Sequence, residues 1–232
     1  MSDSSIVAMF DRISPSYDRL NHLLSINIDK VWRRRTAKAV SKNHPQTILD
    51  LATGTADLAI ALAKRNPHAH IIGTDISEKM LEIGQAKIAK EKLVKQIELR
   101  LGDAAALPFE DNSFDAVTVA FGVRNFENMK QGLSEIHRVL KPNGLAFILE
   151  FSMPEKFPVK QVYRLYFKHI LPKIGKWVSK DASAYTYLPE SVERFPKPLE
   201  FLRLLSSAGL TGGTMRRFGH GIATLYSVTK SK

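Results

Sequence analysis

Alternation of short apolar segments with helical patterns constrains the fold of this 232-residue chain more than any other feature. Between residues 46 and 151, five runs have the length and apolar content of β-strands, and helical spacings of apolar residues lie between them. The strands are predicted at Thr47–Leu51, His70–Gly73 with Asp75 at the tip, Ile97–Leu101, Phe114–Ala120 and Leu145–Phe151. Strand-helix alternation of this kind predicts a parallel sheet covered by helices on both faces.

The regions on either side of this segment are predicted to be mainly helical. Residues 1–45 form an N-terminal helical extension, and residues 154–195 contain no clear strand, which predicts a helical insertion before the last strands. The other predicted elements are helices at Leu58–Lys64, Glu78–Glu91 with Ser77 as N-cap, Asn128–Leu140 followed by a turn at Lys141–Gly144, and Leu199–Ala208, and strands near Thr214–Phe218 and Ala223–Thr229. Together they predict a single α/β domain of the Rossmann-like kind over residues 1–232, with its core at 46–151 and its last helix and strands at 197–229.

Composition excludes several kinds of site. The chain has no cysteine, so disulfides, thiolate metal ligands and cysteine nucleophiles are excluded. No apolar run approaches the roughly 20 residues of a membrane span, and the acidic N-terminal segment is unlike a signal peptide, so a cytoplasmic location is expected. The formal net charge of +11 fits a nucleic acid, an anionic membrane surface or an acidic ligand as partner, or simply a basic surface that aids solubility.

Three loops that follow predicted strands carry residues suited to a nucleoside, at the strand ends where open α/β sheets bind ligands. The first, DLATGTADLA, contains Gly54, where a small residue lets a ligand approach the backbone. Asp75 follows the second strand, 21 residues beyond Gly54, and suits hydrogen bonds from both ribose hydroxyls. Asp103 follows the third strand and is placed to accept from an adenine amino group. Three such residues at successive strand ends favour a nucleoside site over ordinary tight turns.

The first loop also discriminates between nucleoside cofactors. It lacks the G-x-G-x-x-G pattern of dinucleotide sites, since Ala52 and Ala56 stand at glycine-like positions. Asp57 lies in the first turn of the next helix, where its carboxylate would repel a pyrophosphate. S-adenosyl-L-methionine carries a sulfonium and an ammonium but no phosphate, and both Asp50 and Asp57 are compatible with those charges. The loop therefore favours S-adenosyl-L-methionine as cofactor and predicts a methyltransferase.

Further motifs occur in a fixed order along the chain. They are FDRISPSYDRLN (Phe10–Asn21), the DLATGTADLA loop, GDAAALPFEDNSFD (Gly102–Asp115), AFGVRN (Ala120–Asn125), RVLKPNG (Arg138–Gly144), LEFSMP (Leu149–Pro154), YTYLPESVERFP (Tyr185–Pro196) and a closing AGL. In this order they resemble the ubiquinone/menaquinone biosynthesis C-methyltransferases, from about residue 7 to about residue 225. RVLKPNG and the first loop are general to methyltransferases, whereas AFGVRN, LEFSMP and YTYLPESVERFP are specific to this family.

The resemblance implies a seven-stranded, mostly parallel methyltransferase sheet and methylation of a ring carbon of a polyprenylated quinol. Demethylmenaquinol is the expected substrate, and a 2-methoxy-6-polyprenyl-benzoquinol of ubiquinone biosynthesis is the alternative. The cofactor contacts that the resemblance implies are Thr55, Asp75, Asp103, Ala104 and Ala120, with Asp50 and Gly54 shaping the first loop. Ala56 departs from the family's second glycine, and the C-terminal TLYSVTK lacks the histidine that many members carry.

Methyl transfer to an aromatic carbon requires that an adjacent phenolic hydroxyl lose its proton, so a phenolate must be stabilised. Arg124 and Asn125 are the predicted catalytic residues: the guanidinium would hold the oxyanion, and the amide would orient the hydroxyl. Alternatively, Arg124 pairs with a local acid such as Glu127. Second-tier substrate contacts are predicted at Tyr17, Asp18, His22, Tyr185 and Tyr187. No metal is predicted, because His68 and His70 fit a solvated pair better than a metal site.

Two other functional classes have weaker support. Amino-methylating nucleic-acid enzymes carry an Asn/Asp-Pro-Pro-aromatic motif after the fourth strand, where this chain has AFGVRN, and C5-pyrimidine enzymes need a cysteine. A non-catalytic S-adenosyl-L-methionine-binding module would be expected to lose site residues that are intact here. No nucleic-acid partner is therefore expected, and nothing in the sequence specifies an oligomeric state.

The insertion has the pattern of a helix that lies in a membrane interface. Between Val159 and Val178, apolar residues recur at helical spacing, and Pro172 predicts a kink. The basic residues among them are Lys160, Arg164, Lys168, Lys173 and Lys176. Because a prenylated quinol resides in a bilayer, the insertion is predicted to be a lid in transient contact with an anionic membrane, at its inner face. Alternatively, its helices pack on the sheet domain and the apolar stripe lines a prenyl channel.

Overall fold

The computed structural model describes residues 3–25, 27–165 and 183–231. Within them, seven strands form one sheet in the order β3-β2-β1-β4-β5-β7-β6. The strands are β1 (Thr47–Leu51), β2 (His70–Asp75), β3 (Ile97–Leu101), β4 (Phe114–Ala120), β5 (Leu140–Phe151), β6 (Leu210–Phe218) and β7 (Ala223–Lys230). β7 pairs antiparallel with β5 and β6, and the other pairings are parallel. The predicted seven-stranded, mostly parallel Rossmann-like sheet is confirmed.

Helices cover both faces of this sheet. They are α1 (Asp3–Leu24), α2 (Ile28–Ser41), α3 (Asp57–Ala63), α4 (Glu78–Lys90), α5 (Met129–Val139), α6 (Val159–Leu165), α7 (Ser183–Arg194) and α8 (Pro198–Ser207). Successive side chains of a strand point to opposite faces. In β1, Ile48 packs with residues of α2, α3 and α4, whereas Leu49 and Leu51 pack with residues of α5 and α8. A strand that is apolar at consecutive positions is therefore buried on both sides, as the alternation predicts.

Capping residues set the start of two helices beside the sheet. The Ser77 hydroxyl accepts from the Met80 N–H at 3.2 Å at the start of α4, which confirms the predicted N-cap. The side-chain carbonyl oxygen of Asn128 accepts from the Gln131 N–H at 3.1 Å at the start of α5. Each bond satisfies an N–H group that the first helical turn leaves unpaired.

Strand β5 begins five residues earlier than predicted, at Leu140, so the predicted turn at Lys141–Gly144 lies within its span. Leu140 pairs with Phe114, and regular pairing resumes between Leu145 and Ala116 after a shift of register. The turn residues are therefore accommodated as an irregularity between two paired stretches. Strand β6 likewise begins before its predicted start, because its pairing with β7 continues past an irregularity.

The insertion between β5 and the last strands is helical where the structure describes it, as α6 and α7. Most of the proposed lid, including Lys168, Lys173 and Lys176, lies outside the described residues. Among the residues that are described, no helix is both long enough and apolar enough to cross a membrane. The assignment of the whole chain to a single domain stays a prediction.

Candidate active site

A cavity opens at the carboxyl ends of β1, β2, β3 and β4. This is the edge at which open α/β sheets bind ligands. The predicted site residues that line it are Tyr17, Gly54, Asp75, Asp103, Ala104, Ala120 and Asn125. The predicted residues Asp18, His22, Asp50, Thr55, Arg124 and Tyr187 are not part of this lining. The cavity thus unites the three strand-end loops and the AFGVRN segment.

The loop after β1 leaves its backbone open to the cavity. Gly54 has a φ of 55°, which glycine adopts without strain, and a Cβ atom placed there would meet nothing within 4 Å. Ala56 is also left-handed, with a φ of 64°, and is fully buried. The alanine that departs from the family pattern is therefore held in a conformation that costs an L-residue about 1 kcal/mol. A ligand can approach the bare backbone at Gly54, just before α3.

Asp75 joins the end of β2 to this loop. Its Oδ2 accepts from the Gly54 N–H at 2.8 Å, and its Oδ1 accepts from the Ser77 N–H at 3.0 Å. Burial raises the pKa of Asp75 above its ordinary value, although these bonds oppose the shift. Each carboxylate oxygen has a second acceptor position, and the side chain lines the cavity. Asp75 can therefore accept from ligand hydroxyls while it fixes the loop.

Asp50 lies beneath the same loop and does not reach the cavity. Its carboxylate accepts from the Thr53 hydroxyl at 2.7 Å and from the Thr118 hydroxyl at 2.6 Å. Burial raises the pKa of Asp50 to about 6, against the effect of these two hydrogen bonds. The residue links the ends of β1 and β4 from within the core.

The rim of the cavity is formed by the loop after β3. Asp103 and Ala104 line the cavity there, and Ala120 lines it from the end of β4. The exposed Asp103 side chain is fixed by its Oδ1, which accepts from the Ala105 N–H at 2.8 Å. A carboxylate at this position retains acceptor capacity toward a bound base.

A charged network joins α1 to the first loop. Lys87 Nζ donates to Asp18 at 2.8 Å, to Thr55 Oγ1 at 3.1 Å and to Asp57, and the Thr55 hydroxyl donates to Asp18 at 2.5 Å. Although burial raises it, neighbouring cations bring the pKa of Asp57 below its ordinary value. Asp57 therefore faces Lys87 and not the cavity, which weakens its predicted part in the choice of cofactor.

The same network contains a group with possible metal ligands. Atoms of Asp18, His22 and Asp57 lie within 4.8 Å of one another. Lys87 donates to both carboxylates, and His22 Nδ1 lies 3.0 Å from an oxygen of Asp29. Because Lys87 already donates to both carboxylates, the arrangement of the group is that of an ion-pair network.

Helix α1 forms one wall of the cavity, a contribution that the sequence analysis missed. Ile6 and Phe10 line the cavity together with Tyr17. The spacings of four and seven residues place all three side chains on one face of the helix, and this spacing could have identified them. The rings of Phe10 and Tyr17 meet edge to face at 6.1 Å. Asp11 ties the helix to the end of β2 by accepting from the Ser77 hydroxyl at 2.6 Å.

The turn after β4, a short 3₁₀ segment at Val123–Asn125, directs Arg124 into the protein interior. Arg124 Nη1 donates to Glu150 at 2.8 Å and to the Phe121 carbonyl, and the Arg124 N–H donates to Glu150 at 3.2 Å. Glu150 is fully buried in the neighbouring strand β5. The acidic partner of Arg124 is therefore Glu150 and not Glu127, the local acid considered from the sequence.

Asn125 lines the cavity and is held from the insertion. Its Oδ1 accepts from the Tyr187 hydroxyl, which belongs to α7, at 3.0 Å. Burial raises the pKa of Tyr187 above its ordinary value, so the hydroxyl stays protonated at neutral pH. Tyr185 precedes it in the same helix, and its side chain lies outside the described part of the structure. Two predicted residues from distant parts of the chain thus meet at the cavity wall.

The chain is similar to known proteins in sequence and in fold. The model of a family described as the ubiE/COQ5 methyltransferase family matches residues 1–230. A demethylmenaquinone methyltransferase of Bacteroides fragilis is 46% identical over 222 residues, which cover 96% of this chain and 91% of the relative. One from Porphyromonas gingivalis is 44% identical over 225 residues, covering 97% and 92%. The fold resembles a SAM-dependent methyltransferase of Aquifex aeolicus with a TM-score of 0.61 at 19% identity, over 84% of this chain and 89% of that one.

Proposed function

The chain belongs to the ubiE/COQ5 methyltransferase family, and we propose that it methylates a ring carbon of demethylmenaquinol with S-adenosyl-L-methionine as methyl donor. The observation that carries this proposal is a single cavity lined both by Gly54 and Asp75, which suit a nucleoside, and by Asn125 of the family-specific segment. The named relatives act in the menaquinone branch. The ubiquinone precursor is accordingly not favoured.

The residues present fit the cofactor. The open position above Gly54 can receive a ligand against bare backbone, and Asp75, which lines the cavity, can accept from ribose hydroxyls. Asp103 at the rim is suited to an amino group of the base. The apolar side chains of Ile6 and Phe10 cover the site from α1. When bound, S-adenosyl-L-methionine supplies an electrophilic methyl group on a sulfonium.

On the substrate side, the residues must favour the ionised form of the quinol hydroxyl next to the accepting carbon. A phenolate oxygen is stabilised by hydrogen-bond donors that are fixed before it forms. Asn125 is a candidate donor that lines the cavity. The predicted role of Arg124 is electrostatic, and its pairing with Glu150 means that it acts on the turn that carries Asn125 at least as much as on the substrate.

Labelled methyl transfer tests the proposed function. The purified chain should move label from S-adenosyl-L-methionine to the naphthoquinol ring of a reduced short-chain demethylmenaquinone, and much more slowly to a benzoquinol of the ubiquinone type. A strain lacking the gene should accumulate demethylmenaquinone, and the parent gene should reverse this whereas the Asp75→Ala variant should not. Equal rates on both rings would contradict the substrate assignment, and label on neither would contradict the activity.

Contact with the membrane is part of this proposal, because a prenylated quinol is delivered from a bilayer. Three large apolar side chains on and before α6 are strongly exposed: Phe157 by 80%, Val162 by 66% and Leu165 by 62%. Lys156 beside them is exposed, and Glu155 next to it pairs with Arg217 of β6 at 3.1 Å. An exposed apolar edge beside a lysine suits an anionic lipid surface. We infer transient binding at the inner face of the membrane, from the cytoplasm.

Vesicle co-sedimentation tests this contact. Binding should require phosphatidylglycerol, weaken at high salt, and fall severalfold in a Phe157→Ser, Val162→Ser double variant. Val94→Ser is a control, because Val94 is 54% exposed but precedes β3, at the amino end of that strand, whereas the cavity lies at the carboxyl ends of the strands. If the double variant and the control sediment alike, the apolar edge is not the membrane contact.

A further inference from the structure

The side-chain oxygen of Asn125 already accepts a hydrogen bond. Its Oδ1 accepts the Tyr187 hydroxyl at 3.0 Å. A side-chain amide offers one carbonyl oxygen and two N–H donors, so an oxygen held in this way fixes the plane of the amide and leaves Nδ2 to donate. Because Asn125 lines the cavity, the group it can present to a ligand is a hydrogen-bond donor.

The backbone of the same turn is fixed independently. The Asn125 N–H donates to the Gly122 carbonyl at 2.9 Å, and the buried Glu150 accepts from both the backbone and the guanidinium of Arg124. A side chain at Gly122 would fall 2.5 Å from the Ala52 Cβ, so the turn is packed closely against the loop after β1. The freedom that remains in Asn125 is therefore rotation of its side chain, which the Tyr187 hydroxyl restricts.

We propose that Tyr187 is a positioning residue that acts through Asn125: its hydroxyl sets the amide so that Nδ2 donates to the quinol oxygen beside the methylated carbon. This inference rests on the proposed function and deepens it. Tyr187 is 9% exposed and does not line the cavity, so it reaches the substrate only through Asn125. The Tyr187 hydroxyl suits this purpose, because a tyrosine hydroxyl remains a hydrogen-bond donor throughout the physiological pH range.

A double-mutant cycle on turnover of the reduced short-chain substrate tests the proposal, because it isolates the coupling between two residues. Tyr187→Phe should lower kcat about tenfold, the effect of one hydrogen bond, with little change in the dissociation constant of S-adenosyl-L-methionine. Asn125→Ala should lower kcat on the order of a hundredfold, as for one lost oxyanion donor. In the Asn125→Ala background, Tyr187→Phe should have no further effect. Asn125→Asp, which keeps an acceptor for Tyr187 but loses the N–H donors, should be as impaired as Asn125→Ala.

Two measurements separate positioning from a structural role. The rising limb of the kcat–pH profile should move to higher pH in Tyr187→Phe, because a misplaced donor lowers the pKa of the quinol hydroxyl less. Tyr226→Phe removes a hydroxyl from another buried tyrosine, which packs on Phe201 in the core, and should leave both kcat and the profile unchanged. Equal effects of Tyr187→Phe in the two backgrounds, or an unshifted profile, would overturn the proposal. A parent enzyme that does not methylate the naphthoquinol would instead contradict the proposed function itself.

Discussion

The contact of Asp75 with the cofactor gives a prediction whose size can be worked from the structure. The carboxylate accepts from the N–H groups of Gly54 and Ser77, and the side chain also lines the cavity, where a ligand hydroxyl can donate to it. A hydrogen bond to a charged group contributes about 1.5–3 kcal/mol. Asp75→Ala should therefore weaken binding of S-adenosyl-L-methionine roughly 10- to 150-fold, measured by titration calorimetry.

A second carboxylate serves as a matched control. Asp115 accepts from the N–H groups of Gln46 and Thr47, each at 2.9 Å, but it lies at the amino end of the sheet, away from the cavity. Asp115→Asn should therefore reduce stability without changing the dissociation constant of the cofactor. If Asp75→Ala binds as tightly as Asp115→Asn, the ribose contact is refuted.

The pH dependence of binding follows from the same geometry. Burial raises the pKa of Asp75 in the free protein, and hydroxyl donors from a ligand favour the ionised carboxylate. Affinity should therefore decrease as the pH falls through this raised pKa. The parent should show this decrease, whereas Asp75→Ala should bind weakly and evenly over the same range.

Three further variants test the residues that surround the cavity. Burial raises the pKa of Asp50 from 3.8 to about 6, so ionisation of this carboxyl destabilises the folded parent as the pH rises. Between about pH 4 and about pH 7, the unfolding free energy of Asp50→Asn should therefore gain up to about 3 kcal/mol relative to that of the parent. A difference between the two proteins that stays constant with pH in urea denaturation would contradict this. Lys87→Met should speed amide exchange in α1 and weaken cofactor binding, and the effect on binding should be only a few-fold because the ion pairs of Lys87 are partly exposed. Lys90 is exposed in the same helix, and Lys90→Met should do neither. Arg124→Leu leaves Glu150 buried without its partner and should cost about 3–5 kcal/mol of stability. Turnover should also fall, because the pair holds the turn that carries Asn125; an unchanged melting temperature would show that the pair is not structural.

The cofactor side of the cavity was largely accessible from the sequence. Strand periodicity located the ends of β1, β2 and β3, and parallel strands bring their carboxyl ends to one edge, so Gly54, Asp75 and Asp103 could be grouped without any knowledge of side-chain contacts. Strand periodicity does not predict which side chains meet when the two residues are far apart in the chain. Lys87 and Asp18 are separated by 69 residues, and they meet because α1 packs across α4.

Glu150 shows the same limit within the sheet. In the sequence it stands in the apolar run that forms β5, with no periodic feature to mark it as the partner of Arg124. The pairing of Ala120 with Leu149 is what places the turn after β4 beside this residue. Sequence spacing alone identifies only a nearby acid such as Glu127. Strand order decides which distant acid lies close to Arg124. A buried acid at the end of a strand becomes informative only after its neighbouring strand is known.

The two sides of the cavity therefore differ in what holds them. Gly54 and Asp75 are fixed by bonds between adjacent loops of the sheet, whereas Asn125 depends on Tyr187 from a helix that follows the sheet core by more than thirty residues. Displacement of α7 would remove the Tyr187 hydroxyl from Asn125, whereas the bond between Asp75 and Gly54 involves no residue of α7. The hydrogen bonds that fix Gly54 and Asn125 therefore have no residue in common.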